Sequence, residues 1–146
     1  MACERAVAHW DWSDIYVLGI ATIDQQHKAM FDMIADLCRS IAQDRPKAAV
    51  TAALVRFEHF SIGHFTNEES LMRRIIYPRY EAHRRSHLEF IRRVAAVRET
   101  QAIDDELAHF LGDWLAEHIL TADRGYADHY HRLQVQENRL AGATAP

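Results

Sequence analysis

Four long stretches of this chain repeat apolar residues at the three- and four-residue spacing of an α-helix, and each sets at least one ionisable residue inside its apolar stripe. The first, over residues 22 to 43, carries Ile23, His27, Met30, Phe31, Ile34, Leu37, Cys38 and Ile41 on one side, with Thr22 and Gln25 spaced as a capping box. Asp44-Arg45-Pro46 breaks the pattern, and a second stretch from 47 to 76 aligns Leu54, Phe57, Ser61, His64, Phe65, Glu68, Leu71, Met72 and Ile75. Tyr77-Pro78 ends it, because the residue before a proline avoids helical geometry while proline suits the first turn of the helix that follows. That third helix, starting near Pro78, presents Tyr80, His83, His87, Phe90, Ile91, Val94 and Val97. The fourth opens on Asp104-Asp105-Glu106, acids that suit the positive end of a helix dipole, and turns Leu107, Phe110, Leu111, Trp114, Leu115 and His118 inward.

Gly and Pro are scarce and the connections are short, so neighbouring helices should run antiparallel. The expected fold is all-α, an up-down-up-down antiparallel four-helix bundle. A chain of 146 residues suffices for one such core and not comfortably for two. A single domain over residues 1–132 is expected, in which residues 1–20, with Trp10, Trp12, Ile15 and Tyr16, form an N-terminal arm packed over the bundle; residues 133–146 are read as a flexible C-terminal tail. The balance of 17 basic against 21 acidic residues leaves a net charge of -4 and no cationic face for nucleic acid. No apolar run reaches membrane-spanning length, and Met1-Ala-Cys-Glu-Arg lacks the apolar core of a secretory signal, so a cytoplasmic monomer is expected. Cys3, on the arm, and Cys38, on the first stripe, read as free thiols.

His27, His64, Glu68, His83, His87 and His118 would be costly to bury unpaired. His64 and Glu68 are four residues apart, as are His83 and His87, so each pair projects from one helix face toward one neighbourhood. A single inward histidine is more often a hydrogen-bonded core residue than a ligand. Five together cannot satisfy one another by hydrogen bonds, whereas a metal ion accepts the lone pair of each imidazole and leaves its second nitrogen to donate outward. The sulfur-free set suits iron, with manganese and zinc as alternatives, and is too large for one ion. His9, His59, His109, His129 and His131 fall off the stripes or outside the bundle and are read as surface or tail residues.

The stretches Gly19-Ile20 through Ile23-Asp24-Gln25-Gln26-His27-Lys28, then His64-Phe65-Thr66-Asn67-Glu68-Glu69, then Tyr77-Pro78 with His83 and His87, then Trp114-Leu115-Ala116-Glu117-His118-Ile119 with Asp123 and Tyr126, resemble in this order the hemerythrins. The likeness is to the single-domain bacterial members, the bacteriohemerythrins, over roughly residues 10 to 130. It implies a non-haem di-iron centre in which His83, His87 and His118 bind one iron and His27 and His64 the other. Glu68 and Asp123 would bridge the two irons together with a solvent-derived oxo or hydroxo group. The second iron would keep an open position for molecular oxygen, so the implied role is reversible oxygen binding, as a carrier, store or delivery protein and not an enzyme. By the same resemblance Phe65, Trp114, Leu115 and Ile119 would line an apolar oxygen pocket, and Tyr126 would hydrogen-bond around the ligands.

Asp123 follows His118 by five residues, a rotation of about 140° beyond a whole turn, so both reach one site only if the helix widens or ends there; a distortion over residues 119 to 123 is expected. Glu69 sits about 100° around the helix from Glu68 and is expected to face solvent or a partner on the next helix. Two other functions share these residues: an oxygen or redox sensor acting through a separate protein partner, and a di-iron oxidase or a centre for peroxide or nitric oxide chemistry. Histidine donates less negative charge than carboxylate and so stabilises high-valent iron less, which favours oxygen binding over oxygen activation.

Overall fold

The apolar stripes form helices with nearly the expected bounds in the computed structural model, which describes residues 11–143. A 3-10 turn, Asp14–Tyr16, precedes α1 (Ala21–Ala42), α2 (Lys47–Arg74), α3 (Tyr80–Thr100) and α4 (Asp105–His118). α4 runs without interruption through a π-helical turn, Ile119–Asp123, into α5 (Arg124–Ala143), and these three pieces make the fourth rod of an antiparallel four-helix bundle. Among the described residues there is no strand, and no helix is long and apolar enough to cross a membrane.

The helix ends are set by local chemistry. α1 closes with Arg45 N–H on the Ser40 carbonyl (3.1 Å) and Asp44 N–H on that of Ile41 (3.0 Å). α2 closes in the same way, with Tyr77 N–H on Met72 (2.9 Å) and Ile76 N–H on Arg73 (3.2 Å). Asp44 and Ile76 occupy the left-handed position that this motif requires, at φ 50° and 51°. The chain therefore reverses before Pro78 rather than at it, and α3 begins at Tyr80. α4 is capped as its sequence suggests, the Asp104 carboxylate accepting from Leu107 N–H at 3.0 Å. The Thr22 and Gln25 capping box does not form: α1 starts at Ala21 with no side-chain cap. Asp24 instead accepts from the N–H groups of Leu18 (2.8 Å) and Gly19 (3.0 Å), which ties the incoming segment to the first turn.

That segment is held from the fourth rod as well. Arg124 donates to the carbonyls of Ile15 (2.7 Å) and Val17 (2.9 Å), and His131 Nε2 donates to that of Leu18 at 2.8 Å. Tyr16 and Leu18 are buried, with the Tyr16 ring 4.9 Å from that of Phe31. Gly19 has φ 77°, and the His131 ring lies 3.1 Å from where a Cβ would stand, so glycine is needed twice over. Trp12 packs on the core from outside, while Trp10, His9 and Cys3 lie outside the described residues.

Residues 133–143 continue α5 as its solvent-exposed end, because extending an existing helix by a turn costs far less than starting one. Two expectations need correction. His129 and His131 are not loose surface groups: both are half-buried, and His129 Nε2 donates to the Ile75 carbonyl at 3.0 Å. Cys38 is disulfide-bonded rather than a free thiol, since counting sulfurs along a sequence says nothing about what the fold lays against a buried helix position.

Along the bundle axis the core divides in two. At the end bearing the α1–α2 and α3–α4 connections, Ile34, Leu37, Leu54, Phe57, Val94 and Leu111 are fully buried. Toward the other end the same inward positions are taken by His27, His64, Glu68, His83, His87, His118 and Asp123, all buried.

Candidate metal centre

Each rod delivers its polar groups at one level: His27 from the second turn of α1, His64 and Glu68 from one face of α2, His83 and His87 from the first turns of α3, and His118 from the end of α4. Asp123 joins them because Ile119–Asp123 is π-helical, the distortion expected at that spacing, and the wider turn brings a residue five positions on to the same side as His118.

The ring nitrogens form two groups. Nε2 of His83, His87 and His118 stand 3.0, 3.1 and 3.1 Å from one another. A ring nitrogen carries either a proton or a lone pair, so three in mutual contact cannot all be paired as donor and acceptor. Two imidazole nitrogens each about 2.1 Å from one ion at a right angle would be about 3.0 Å apart, which is the spacing here. His27 and His64 make the second group, their ring centroids 4.6 Å apart.

Between the groups lie the two carboxylates. Glu68 turns Oε2 to His87 (3.2 Å) and His83 (3.8 Å) and Oε1 to His64 (3.5 Å) and His27 (3.6 Å). Asp123 turns Oδ1 to His83 and His118 (both 3.1 Å) and Oδ2 to His27 (3.2 Å). Yet Nε2 of His27 and His64, Oε2 of Glu68 and both Asp123 oxygens are buried without a directed hydrogen bond. Orphaned lone pairs aimed at common points, in two sets sharing Glu68, fit cations better than protons.

The electrostatics agree. Burial opposes charge on His27 and His83, but Asp123 and Glu68 outweigh it and hold both up at about 9 against the usual 6.5. Burial lowers His64 to about 4. Glu68 and Asp123, against their own burial, are held below the usual carboxylate range by the surrounding imidazoles. A cation entering would therefore displace protons from His27 and His83.

Around the centre, Tyr126 is fully buried and donates to Glu68 Oε1 at 2.6 Å. Phe65 stacks flat on His87, with centroids 3.9 Å apart at 9°, and half-buried Trp114 stacks on His118 at 4.3 Å and 14°. Both rings thus press on the three-histidine group, while Phe65 also meets His64 at a tilt of 49°, centroids 5.6 Å apart. Leu115 and Ile119 are fully buried beside His118. Glu69 faces the next helix, where its Oε1 accepts from His87 Nδ1 at 3.1 Å. His59 is exposed, and half-buried His109 bonds the Asp105 carbonyl. Sequence reasoning missed Gln26, whose Oε1 accepts from His64 Nδ1 at 2.9 Å across 38 residues of chain, a pairing that no local spacing announces.

A bundle that buries five imidazoles and two carboxylates in two adjoining groups defines a metal-binding helical protein. Residues 18–130 match the family model of the hemerythrin HHE cation binding domain. The chain belongs to the hemerythrin family. It is 36% identical to a bacteriohemerythrin of Pseudomonas paraeruginosa over 126 residues, covering 84% of this chain and 82% of that protein. It is 38% identical to a bacteriohemerythrin of Stenotrophomonas maltophilia over 122 residues (80% and 78%), and 29% identical to a myohemerythrin of Riftia pachyptila over 115 (79% and 88%).

Proposed function

We propose that this chain, a member of a di-iron oxygen-binding family, binds molecular oxygen reversibly as a carrier or store rather than turning it over. The observation that carries the reading is the division of each carboxylate, one oxygen of Glu68 and of Asp123 toward each histidine group, which suits two ions bridged by both. His83, His87 and His118 would hold one iron, and His27 and His64 the other. The smaller ligand set is the one that leaves room for an outside molecule. A ferrous pair bound there supplies the electrons for reversible oxygen binding.

The chain's own residues keep that chemistry reversible. Tyr126 fixes Glu68 through its hydroxyl, and the stacked Phe65 and Trp114 fix the planes of His87 and His118. Buried Leu115 and Ile119 keep water from the three-histidine side of the centre beside His118, which limits the supply of protons to the shared carboxylates.

The test is a visible spectrum of the anaerobically reduced protein before oxygen, after oxygen and after an argon purge, together with iron per chain. Two irons and a colour that comes and goes are expected. A colour that appears and never reverses would move the assignment to a redox sensor or an oxidase, and absence of iron would remove the di-iron reading.

A further inference from the structure

An imidazole that holds a metal through Nε2 keeps Nδ1 for a second partner, and that partner sets both the ring's orientation and its strength as a donor. Two of the five site histidines have side-chain partners of different charge. His87 Nδ1–H donates to the Glu69 carboxylate at 3.1 Å, and His64 Nδ1–H donates to the neutral Gln26 amide oxygen at 2.9 Å. His27 Nδ1 is buried with no hydrogen-bond partner among the described residues. The anionic contact therefore falls on the three-histidine group and the neutral or missing ones on the two-histidine group.

We infer that Glu69 is a positioning residue that sets the two metal positions apart, making His87 the stronger donor and biasing the three-histidine position toward the ferric state. The inference rests on the two-ion reading above. The His87 ring is held on its face by Phe65 at 3.9 Å and on its edge by Glu69, so its place is doubly fixed. Glu69 is 18% exposed, which leaves its charge poorly screened toward the buried ring. Among the described residues its other oxygen pairs with Arg84 Nε at 3.7 Å, on a side chain 44% exposed, a looser and wetter contact that offsets part of that charge while the oxygen toward His87 stays 3.1 Å from the ring. At Gln26 the same geometry is met by an amide, which orients His64 without pushing electron density onto it.

Geometry and charge can be separated. Glu69→Gln keeps the acceptor and removes the charge, Glu69→Ala removes both, and Gln26→Glu adds a charge behind His64. The readouts are metal per chain after Fe(II) loading and the midpoint potential in a mediated redox titration. Glu69→Gln is expected to keep two irons and raise the potential, by about 59 mV for each tenfold loss of ferric over ferrous preference. Gln26→Glu is expected to lower it, and Glu69→Ala to weaken metal binding roughly 10- to 100-fold as well. Wild-type potentials in both Glu69→Gln and Gln26→Glu would overturn the inference, and those two near-isosteric variants decide it even if Glu69→Ala does not fold. Failure of the wild-type chain to bind two irons would instead overturn the reading on which it rests.

Discussion

The two ends of this bundle are built on one backbone plan with opposite interiors. At one end Leu, Ile, Val and Phe side chains fill the space between helices, and each fully buried one contributes about 1.5–3 kcal/mol by leaving water. At the other, seven ionisable groups occupy equivalent inward positions at equal depth, where burial costs free energy until a partner meets each lone pair. The apolar end contributes burial that favours folding whether or not anything is bound. The polar end is carried by it, and becomes favourable only through what it binds.

A paired substitution would break this division most sharply. Leu54→Ala, deep in the apolar half, is expected to cost about 2–5 kcal/mol in urea unfolding while leaving iron per chain unchanged. His118→Ala should do the reverse, losing iron from the three-histidine position with a smaller change in metal-free stability. Iron retained in full by His118→Ala would sink that ligand assignment, and iron lost by Leu54→Ala would show that the halves are coupled.

Next in size is a pH profile. In the metal-free chain His27 and His83 are held up to about 9, so their contribution is complete below 6.5 and is lost as the pH rises through about 9. His64, lowered to about 4, works in the opposite direction and removes stability as the pH falls from 6.5 toward 4. Metal-free stability should therefore peak near pH 6.5, while metal loading displaces the protons on His27 and His83 and flattens the alkaline side. Thermal melts from pH 5 to 9, with and without metal, would show it; a metal-free curve still rising above pH 7 would contradict it.

The smallest effect lies outside both halves. Ile76 is 85% exposed and β-branched, yet sits at φ 51°. Ile76→Gly should relieve about 1 kcal/mol and raise the melting temperature by a few degrees without touching iron content. An unchanged or lower melting temperature would mean that Ile76 packs more than its exposure suggests.

Much of this was legible in the chain itself where the cause was local. Helical periodicity placed His27, His64, Glu68, His83, His87 and His118 on inward faces; once the family resemblance put Asp123 in the same site as His118, the five-residue step between them predicted a distortion there, which the structure shows to be a π turn. Asp104 was legible as a cap because its partner is three residues away. What failed depended on distant chain. The Thr22 and Gln25 spacing suggested a cap, but Asp24 is engaged by Leu18 and Gly19 instead. His129 and His131 carry no apolar pattern, and their roles come from carbonyls 54 and 113 residues away.

By itself, then, the sequence determined the helices, their inward faces and the set of polar residues too costly to bury alone, because hydrophobic periodicity and helical geometry act over a few residues. Only the tertiary structure decided which oxygen of Glu68 and Asp123 faces which histidine group, that Glu69 and Gln26 stand behind different imidazoles, and that Cys38 is bonded. Those contacts join helices whose register and rotation are set by packing of the whole core, and no spacing along one helix encodes the position of its neighbour.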